Sequence, residues 1–408
     1  MKAHGPVDRR IKDTADLHGA AISTTRTQLP SYETVALVLQ GGGALGAYQA
    51  GVFEGLHEAN IHPNWIAGIS IGALNTAIIA GNPPESRLGK LREFWETICR
   101  PAYSPPVPSS VENMLFNSHE YLRRSFTNFQ AMGAIVQGQD GFFVPRLPPL
   151  FPWAERRPEQ ASLYDTSQLK STLLRLCDFD RINDGDIHVS VGAVNVATGN
   201  FAYFDNTKTR LGPEHFMASG ALPPAFAPVE IDGEYFWDGG VVSNTPLHEV
   251  LRATPQKDSL IFQVDLWTAQ GLVPKDLNEV AARLKDIQYS SRTRFVTDMM
   301  HRNQLFRNML KHVLETVPED VRKDNRWCRE AQSLACSKRY NILHLIYKVK
   351  TYEEHYKDYQ FGVSTMRDHW ANGLNDVRKT LAQDRWLDMP VNDAGFVTHD
   401  IHRLDRPA

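Results

Sequence analysis

The 408-residue sequence is short of several features, and each shortage excludes something. Its four cysteines, Cys99, Cys177, Cys328 and Cys336, form no CxxC pair, which excludes a disulfide framework or zinc ribbon. A reducing, cytoplasmic setting is therefore expected. No stretch approaches the roughly 18 apolar residues of a spanning helix, and the opening MKAHGPVDRRIKDTADLHG lacks the apolar run of a secretory signal. Charge of one sign is also scarce. Lys plus Arg number 44 against 47 Asp plus Glu, a net charge of −3, so there is no bulk attraction to nucleic acid, and any attraction to a membrane must be local. No repeat, low-complexity tract, calcium loop or histidine–carboxylate cluster appears, and no metal or other cofactor is expected. What is present, 42% apolar and 22% charged residues with 27 Gly and 24 Pro, is the usage of a soluble globular protein. The length suits one large domain with an appendage, since a domain takes about 100 to 200 residues.

Residues 1–32 are polar and read as a flexible N-terminal arm. The run Glu33-Thr34-Val35-Ala36-Leu37-Val38-Leu39-Gln40 is short, apolar and of β-branched character, a buried strand that ends in three glycines. Over 44–59, Leu45, Tyr48, Val52, Phe53 and Leu56 recur near a 3.6 period, so a helix follows the glycines directly. Trp65-Ile66-Ala67-Gly68-Ile69 is a second strand and 71–81 a buried helix. This repeated strand, glycine turn and helix implies a mainly parallel sheet covered by helices on both faces. From about 101 to 160, prolines interleave with aromatics such as Phe116, Phe142, Phe143, Phe151 and Trp153. That segment is an insertion rather than a βα unit, either a lid over acyl chains or a rigid packed excursion.

Regular signals resume with a helix at 166–176, strands at 186–196 and 201–204, a hairpin around Asp232-Gly233 and a core strand at 259–266, completing a domain over 33–270. From 275 to 317 apolar residues spaced by three, four or seven predict a long helical stretch ended by Pro318. Its basic residues, Arg283, Lys285 and Arg302 among them, are diluted by Asp286 and Asp298 and read as a solvated face rather than an anionic-lipid site. A late strand near 341–349 and a helix carrying Trp370, Leu374, Val377 and Leu381 complete a helical C-terminal extension, 271–390. Residues 391–408 are a tail.

Gly68-Ile69-Ser70-Ile71-Gly72 fits G-x-S-x-G between a strand and a helix, the setting in which a serine sits exposed on a sharp turn as a nucleophile. Gly41-Gly42-Gly43-Ala44-Leu45-Gly46 also fits a dinucleotide fingerprint. A ribose-binding acid about 20 residues on, at the end of the second strand, is missing, which argues against that use. Unhindered N–H groups in this loop instead suit an oxyanion formed when Ser70 attacks an ester. A base for Ser70 is offered by Asp238, which follows an aromatic strand and enters the Gly239-Gly240 turn. His215, His248 and His344 are rival bases, but none lies on a loop after a late strand, where a triad would place it.

The glycine loop, the serine elbow, the segment from Ala218-Ser219-Gly220-Ala221-Leu222-Pro223-Pro224 to Val229 and the Asp238-Gly239-Gly240 turn, in this order and spacing, resemble the patatin-like phospholipases over about residues 34–266. The resemblance implies a three-layer α/β/α sandwich with a mainly parallel central sheet. It also implies a serine acyl hydrolase cleaving carboxylic esters of lipids, phospholipids included. Ser70 would be the nucleophile, Asp238 its base, and Gly41, Gly42 and Gly43 the oxyanion donors, with Gly46, Gly68, Gly72, Gly239 and Gly240 supporting the motifs. The partner is then a lipid or acyl-ester substrate, met at a peripheral membrane or lipid-granule surface; oligomeric state is left open. An esterase or thioesterase on other acyl substrates, storage polyesters among them, and a silent lipid-binding protein are the alternatives. Leu45 departs from the Arg or Lys usual in plant and animal members. The stretch from Tyr356-Lys357-Asp358-Tyr359 to Asp368-His369-Trp370 is similar to an extension of a bacterial subset, with no chemistry attached to it.

Overall fold

The computed structural model describes residues 29–147, 155–290, 293–350 and 352–404. Residues 1–28 of the arm, Phe151 and Trp153 of the insertion and residues 405–408 of the tail lie outside them. Nine strands form the central sheet: β1 Thr34–Leu39, β2 Trp65–Gly68, β3 His188–Asn195, β4 Phe201–Asp205, β5 Val229–Ile231, β6 Glu234–Asp238, β7 Ser259–Asp265, β8 Tyr340–Ile346 and β9 Phe396–Asp400. Their order is β9-β8-β7-β1-β2-β3-β6-β5, with β4 paired to β3. The run from β9 to β3 is parallel throughout, while β4, β5 and β6 pair antiparallel at the other end.

Alternation along β1 builds the layers. Leu37 and Leu39 enter a large core with Leu56, Leu74, Phe94 and Phe262 on one face, while Ala36 and Val38 meet Leu247, Val250, Ile261 and Ile342 on the other. Such two-sided burial is what a central parallel strand with helices on both faces requires. The molecule is accordingly a three-layer α/β/α sandwich. On the first face α1 (Ala47–Glu58) and α2 (Ile71–Ala80) follow β1 and β2.

Where the chain departs from its sequence pattern, the reasons are local. The insertion is not featureless: it carries a short helix, Ser109–Phe116, and a long one, α3 (Glu120–Gln137). The periodicity of α3 is concealed because it buries Thr127, Ala131 and Ala134 beside Phe126 and leaves Tyr121 and Phe129 exposed. The stretch 275–317 is two helices, α4 (Leu277–Tyr289) and α5 (Thr293–Glu315). At the end of α4 the Tyr289 carbonyl accepts the side-chain amides of Gln40 (3.1 Å) and Asn244 (2.9 Å). The tail is not all irregular, since residues 396–400 form edge strand β9 on β8.

The extension is built into the same body. It supplies β8 to the sheet, and its helix α6 (Val363–Leu381) crosses α1 where Gly51 and Gly373 sit. A Cβ on Gly51 would lie 1.9 Å from the Trp370 carbonyl oxygen, so the two helix backbones touch only because that position has no side chain.

Candidate functional site

The parallel strands deliver their C-terminal ends to one edge of the sheet, where crevices of open α/β sheets bind ligands. β2 reaches this edge at Gly68, and two residues on Ser70 has φ 56° and ψ −124°, a conformation disfavoured for a side-chain-bearing residue. Its surroundings hold it there. The Ser70 N–H donates to the Ser219 carbonyl (3.1 Å) and to the Ser219 hydroxyl (3.0 Å), which itself donates to the Gly192 carbonyl (2.7 Å). The Ser70 carbonyl takes the first bonds of α2, from Ala73 and Leu74. A Cβ on Gly72 would meet the Leu39 carbonyl oxygen at 2.3 Å, so glycine there lets α2 start against β1. With α2 buried along its whole length, its positive end is aimed at Ser70 with little water to screen it.

Asp238 ends β6, its N–H donating to the Ala221 carbonyl (3.0 Å). The segment Ser219 to Ala221 therefore holds both Ser70 and Asp238 by backbone hydrogen bonds. Asp238 is 1% exposed. Its carboxylate accepts the Gly240 N–H (2.7 Å) and lies beside the Ser70 side chain in the same cleft. Burial raises its pKa to about 7, against the lowering pull of the Ser70 hydroxyl and the Gly240 N–H.

The glycine loop leaves β1 through Gln40, whose side chain ties three segments together: its oxygen accepts from Leu266 (2.6 Å) and Trp267 (3.0 Å), and its amide donates to the Thr245 hydroxyl (2.8 Å) and the Tyr289 carbonyl. The Gly41 carbonyl accepts from Asn244 Nδ2 (3.0 Å) and Trp267 Nε1 (2.8 Å). The Gly41 N–H is itself committed, to the Asn244 carbonyl at 3.3 Å. Of the three expected donors, Gly42 and Gly43 are the two whose N–H groups carry no backbone bond among the described residues. Leu45 is fully buried on the turn after the loop, so this position faces the core and not an anion.

Gly42, Gly43, Ser70 and Asp238 line one cleft. Its walls are largely apolar and include Ile71 and Leu74 of α2, Phe142 and Phe143 of the insertion, Leu222 and Phe226 before the hairpin, Trp267 after β7, Tyr289 of α4, and Tyr359 and Phe361 of the extension. Phe142, Phe143, Phe226 and Phe361 form one aromatic cluster, with centroid distances of 5.1 to 6.2 Å. Among the described residues no histidine lines the cleft. His215 bonds the Gly212 N–H (2.9 Å) and burial lowers its pKa, His248 is exposed on a short helix, and His344 is buried in β8. Among the described residues no group of three His, Cys, Asp or Glu could hold a metal ion, and no helix is long and apolar enough to cross a membrane.

Gln40, Ser219, Asn244, Trp267 and Asp358 carry no role in the sequence reading. Only Gln40 gives a local signal, an amide closing an apolar strand just before the glycines.

The family described as patatin-like phospholipase matches residues 37–251, and a second, described as patatin phospholipase, matches 287–393. The curated proteins named patatin-like phospholipase domain-containing protein 6 from Mus musculus and Homo sapiens are each 30% identical over 122 residues, covering 28% of this chain. The aligned part spans 9% of their length. Among solved structures, VipD from Legionella pneumophila aligns over 90% of this chain and 72% of its own, with TM-score 0.36 and 15% identity. As the first family match alone takes in more than half of the sequence, the chain belongs to the patatin-like phospholipase family.

Proposed function

We propose that this protein is an acyl hydrolase that cleaves carboxylic ester bonds of lipids, phospholipids included, through a Ser70–Asp238 dyad and an acyl-serine intermediate. Family membership supports lipid ester hydrolysis in general. The observation that supports the dyad is the buried Asp238 carboxylate beside a serine on a strained turn, in an apolar cleft with no histidine among the described residues that line it.

In this reading Asp238 takes the Ser70 proton as Oγ attacks the ester carbonyl. The oxyanion of the tetrahedral intermediate is received by the Gly42 and Gly43 N–H groups and the positive end of α2. Collapse transfers the proton from Asp238 to the departing alcohol and leaves the acyl group on Ser70. Water then repeats the sequence in reverse role, with Asp238 again the base. A carboxylate at the usual value near 3.9 is a weak base, and raising it toward 7 makes it a better proton acceptor at neutral pH. The aromatic cluster of Phe142, Phe143, Phe226 and Phe361 is the wall against which the acyl chain lies.

The sign of the pH dependence follows from the role. The base must be ionised, so kcat/KM is expected to rise with pH and level off, with an apparent pKa near 7 for the free enzyme. A profile already flat from pH 5 to 9 would remove a carboxylate raised by burial from the mechanism. Phe226 is half-buried at the cleft wall. Phe226→Ala is expected to move the preferred acyl chain longer by about two to four carbons, at about 0.8 kcal/mol per methylene buried, measured on a p-nitrophenyl ester series. An unchanged preference would place the chain elsewhere.

The function is tested by incubating the protein with a panel of diacyl phospholipids, neutral glycerides, acyl thioesters and a storage polyester, with Ser70→Ala as control. Ser70-dependent release of fatty acid from phospholipid or glyceride is the expected result. Turnover confined to thioester or polyester would give the site to the alternative substrates, and no turnover of any member would reduce the protein to a lipid binder.

A further inference from the structure

The glycine loop does not hold its shape by its own residues. Gly43 has φ +57°, and a Cβ there would lie 2.4 Å from the Asp358 carbonyl oxygen, so the backbone of the extension rests directly on the loop. What seats that backbone is a crossed pair of dipeptides. Lys285-Asp286 near the end of α4 faces Lys357-Asp358: Lys285 Nζ bonds Asp358 Oδ1 at 2.6 Å, and Lys357 Nζ bonds Asp286 Oδ1. Lys357 is 2% exposed. Both ammonium groups lie over the Trp267 indole, at 4.9 and 5.9 Å from a ring centroid, and the N–H of that indole holds the Gly41 carbonyl. From α6, His369 sits with one ring nitrogen 3.3 Å from the Ala44 carbonyl and the other 2.6 Å from the Glu353 carboxylate. The loop is thus gripped at Gly41, Gly43 and Ala44 by residues outside the 37–251 match.

We propose that the crossed pairs Lys285–Asp358 and Lys357–Asp286 position the oxyanion donors, so that the C-terminal extension is an integral part of the catalytic site. This rests on the Ser70–Asp238 reading. Lys357 and Asp286 do not line the cleft, whereas Asp358 does. They are positioning residues: they act through the Asp358 backbone on Gly43 and through Trp267 on Gly41. Two largely buried ion pairs suit this work because a charged pair tolerates little displacement as water is withdrawn, and breaking one leaves an uncompensated charge. Their contribution is to geometry at the loop, where an N–H donor matters most in the transition state.

The test uses the full-length protein with Lys357→Met, Asp286→Asn, the double neutral variant and the charge exchange Lys357→Asp with Asp286→Lys. Each is assayed on one ester for kcat and KM, for the inhibition constant of a trifluoromethyl ketone that forms a tetrahedral adduct with Ser70, and for Tm. For each single variant, kcat per folded molecule is expected to fall about 10- to 100-fold with KM within about twofold, a loss restricted to the transition state. The ketone should weaken in parallel, and the charge exchange should restore at least half of the lost logarithm. If the single variants fold and keep parental kcat and ketone affinity, or if Tm falls while turnover per folded molecule does not, the proposal is overturned. Should a single variant fail to fold, the exchange and the double neutral variant carry the same readouts. Ester hydrolysis that survives Ser70→Ala in the parent background would instead defeat the dyad reading, whatever the Lys357 variants do.

Discussion

Ser70→Ala is expected to lower ester hydrolysis by at least about 10⁴-fold, the scale on which removal of a nucleophile from a unit of cooperating groups is felt. Only the attacking oxygen is lost. The turn is held by the Ser70 backbone, through the N–H bonds to Ser219 and the carbonyl bonds to Ala73 and Leu74, and these survive the substitution. Tm should stay within a few degrees of the parent, and a fluorophosphonate should no longer label the protein. Labelling that persists at another serine, with hydrolysis intact, would take Ser70 out of the reaction.

Asp238→Asn is expected to separate activity from stability in opposite directions. The amide still fits beside Gly240 and Ser70 but does not accept the hydroxyl proton, so kcat should fall by about 10³-fold or more, within the range general-base catalysis supplies together with nucleophile alignment. Stability moves the other way. The folded-state pKa is raised from 3.8 to about 7 by burial, so above about pH 4 the unfolded chain releases a proton that the folded chain retains. Stability of the parent therefore declines between about pH 4 and 7, and the uncharged variant escapes that decline. Taking about 1.4 kcal/mol for each unit, the variant gains up to about 4 kcal/mol above pH 7. Thermal melts of both proteins at pH 5 and pH 8 check this: the variant's advantage should be larger at pH 8. A variant less stable than the parent at pH 8 would show that Asp238 carries a stabilised charge and is not a base raised by burial.

The parts of the fold legible in the sequence are those whose signal is local. The β1 and β2 runs, the glycine loop and the G-x-S-x-G turn each declare strand, sharp turn and helix within a dozen residues, and the alternation predicts the parallel sheet. Asp238 is not legible this way, because Asp-Gly-Gly alone reads as a surface turn; only its company with the Ala218–Val229 segment singles it out. The fold supplies the reason, since Ser219 holds the Ser70 N–H while Ala221 holds that of Asp238. Residues that grip the glycine loop stayed hidden because their partners are remote in the chain: Asn244 and Trp267 reach Gly41 across more than 200 positions. In α3 the pattern is mixed, with Phe126, Thr127, Ala131 and Ala134 buried and Tyr121 and Phe129 exposed, and the end of α4 is held by side chains of Gln40 and Asn244 from elsewhere in the chain. Lys357-Asp358 carries no motif; its meaning lies in the opposite order of contacts with Lys285-Asp286.

The central claim is that an ester's acyl group passes through Ser70 by a reaction that Asp238 drives. Rapid-quench mass spectrometry tests it most directly: the protein is mixed with a slowly deacylating p-nitrophenyl ester, stopped in acid within the first turnover, digested and mapped. The expected result is an added acyl mass on the peptide containing Ser70, formed at a rate that rises with pH through about 7 in the parent and at least about 10³-fold more slowly in Asp238→Asn. Ester consumed with no acyl mass at Ser70, or with the acyl group on another residue, or with acylation as fast in Asp238→Asn as in the parent, would contradict it.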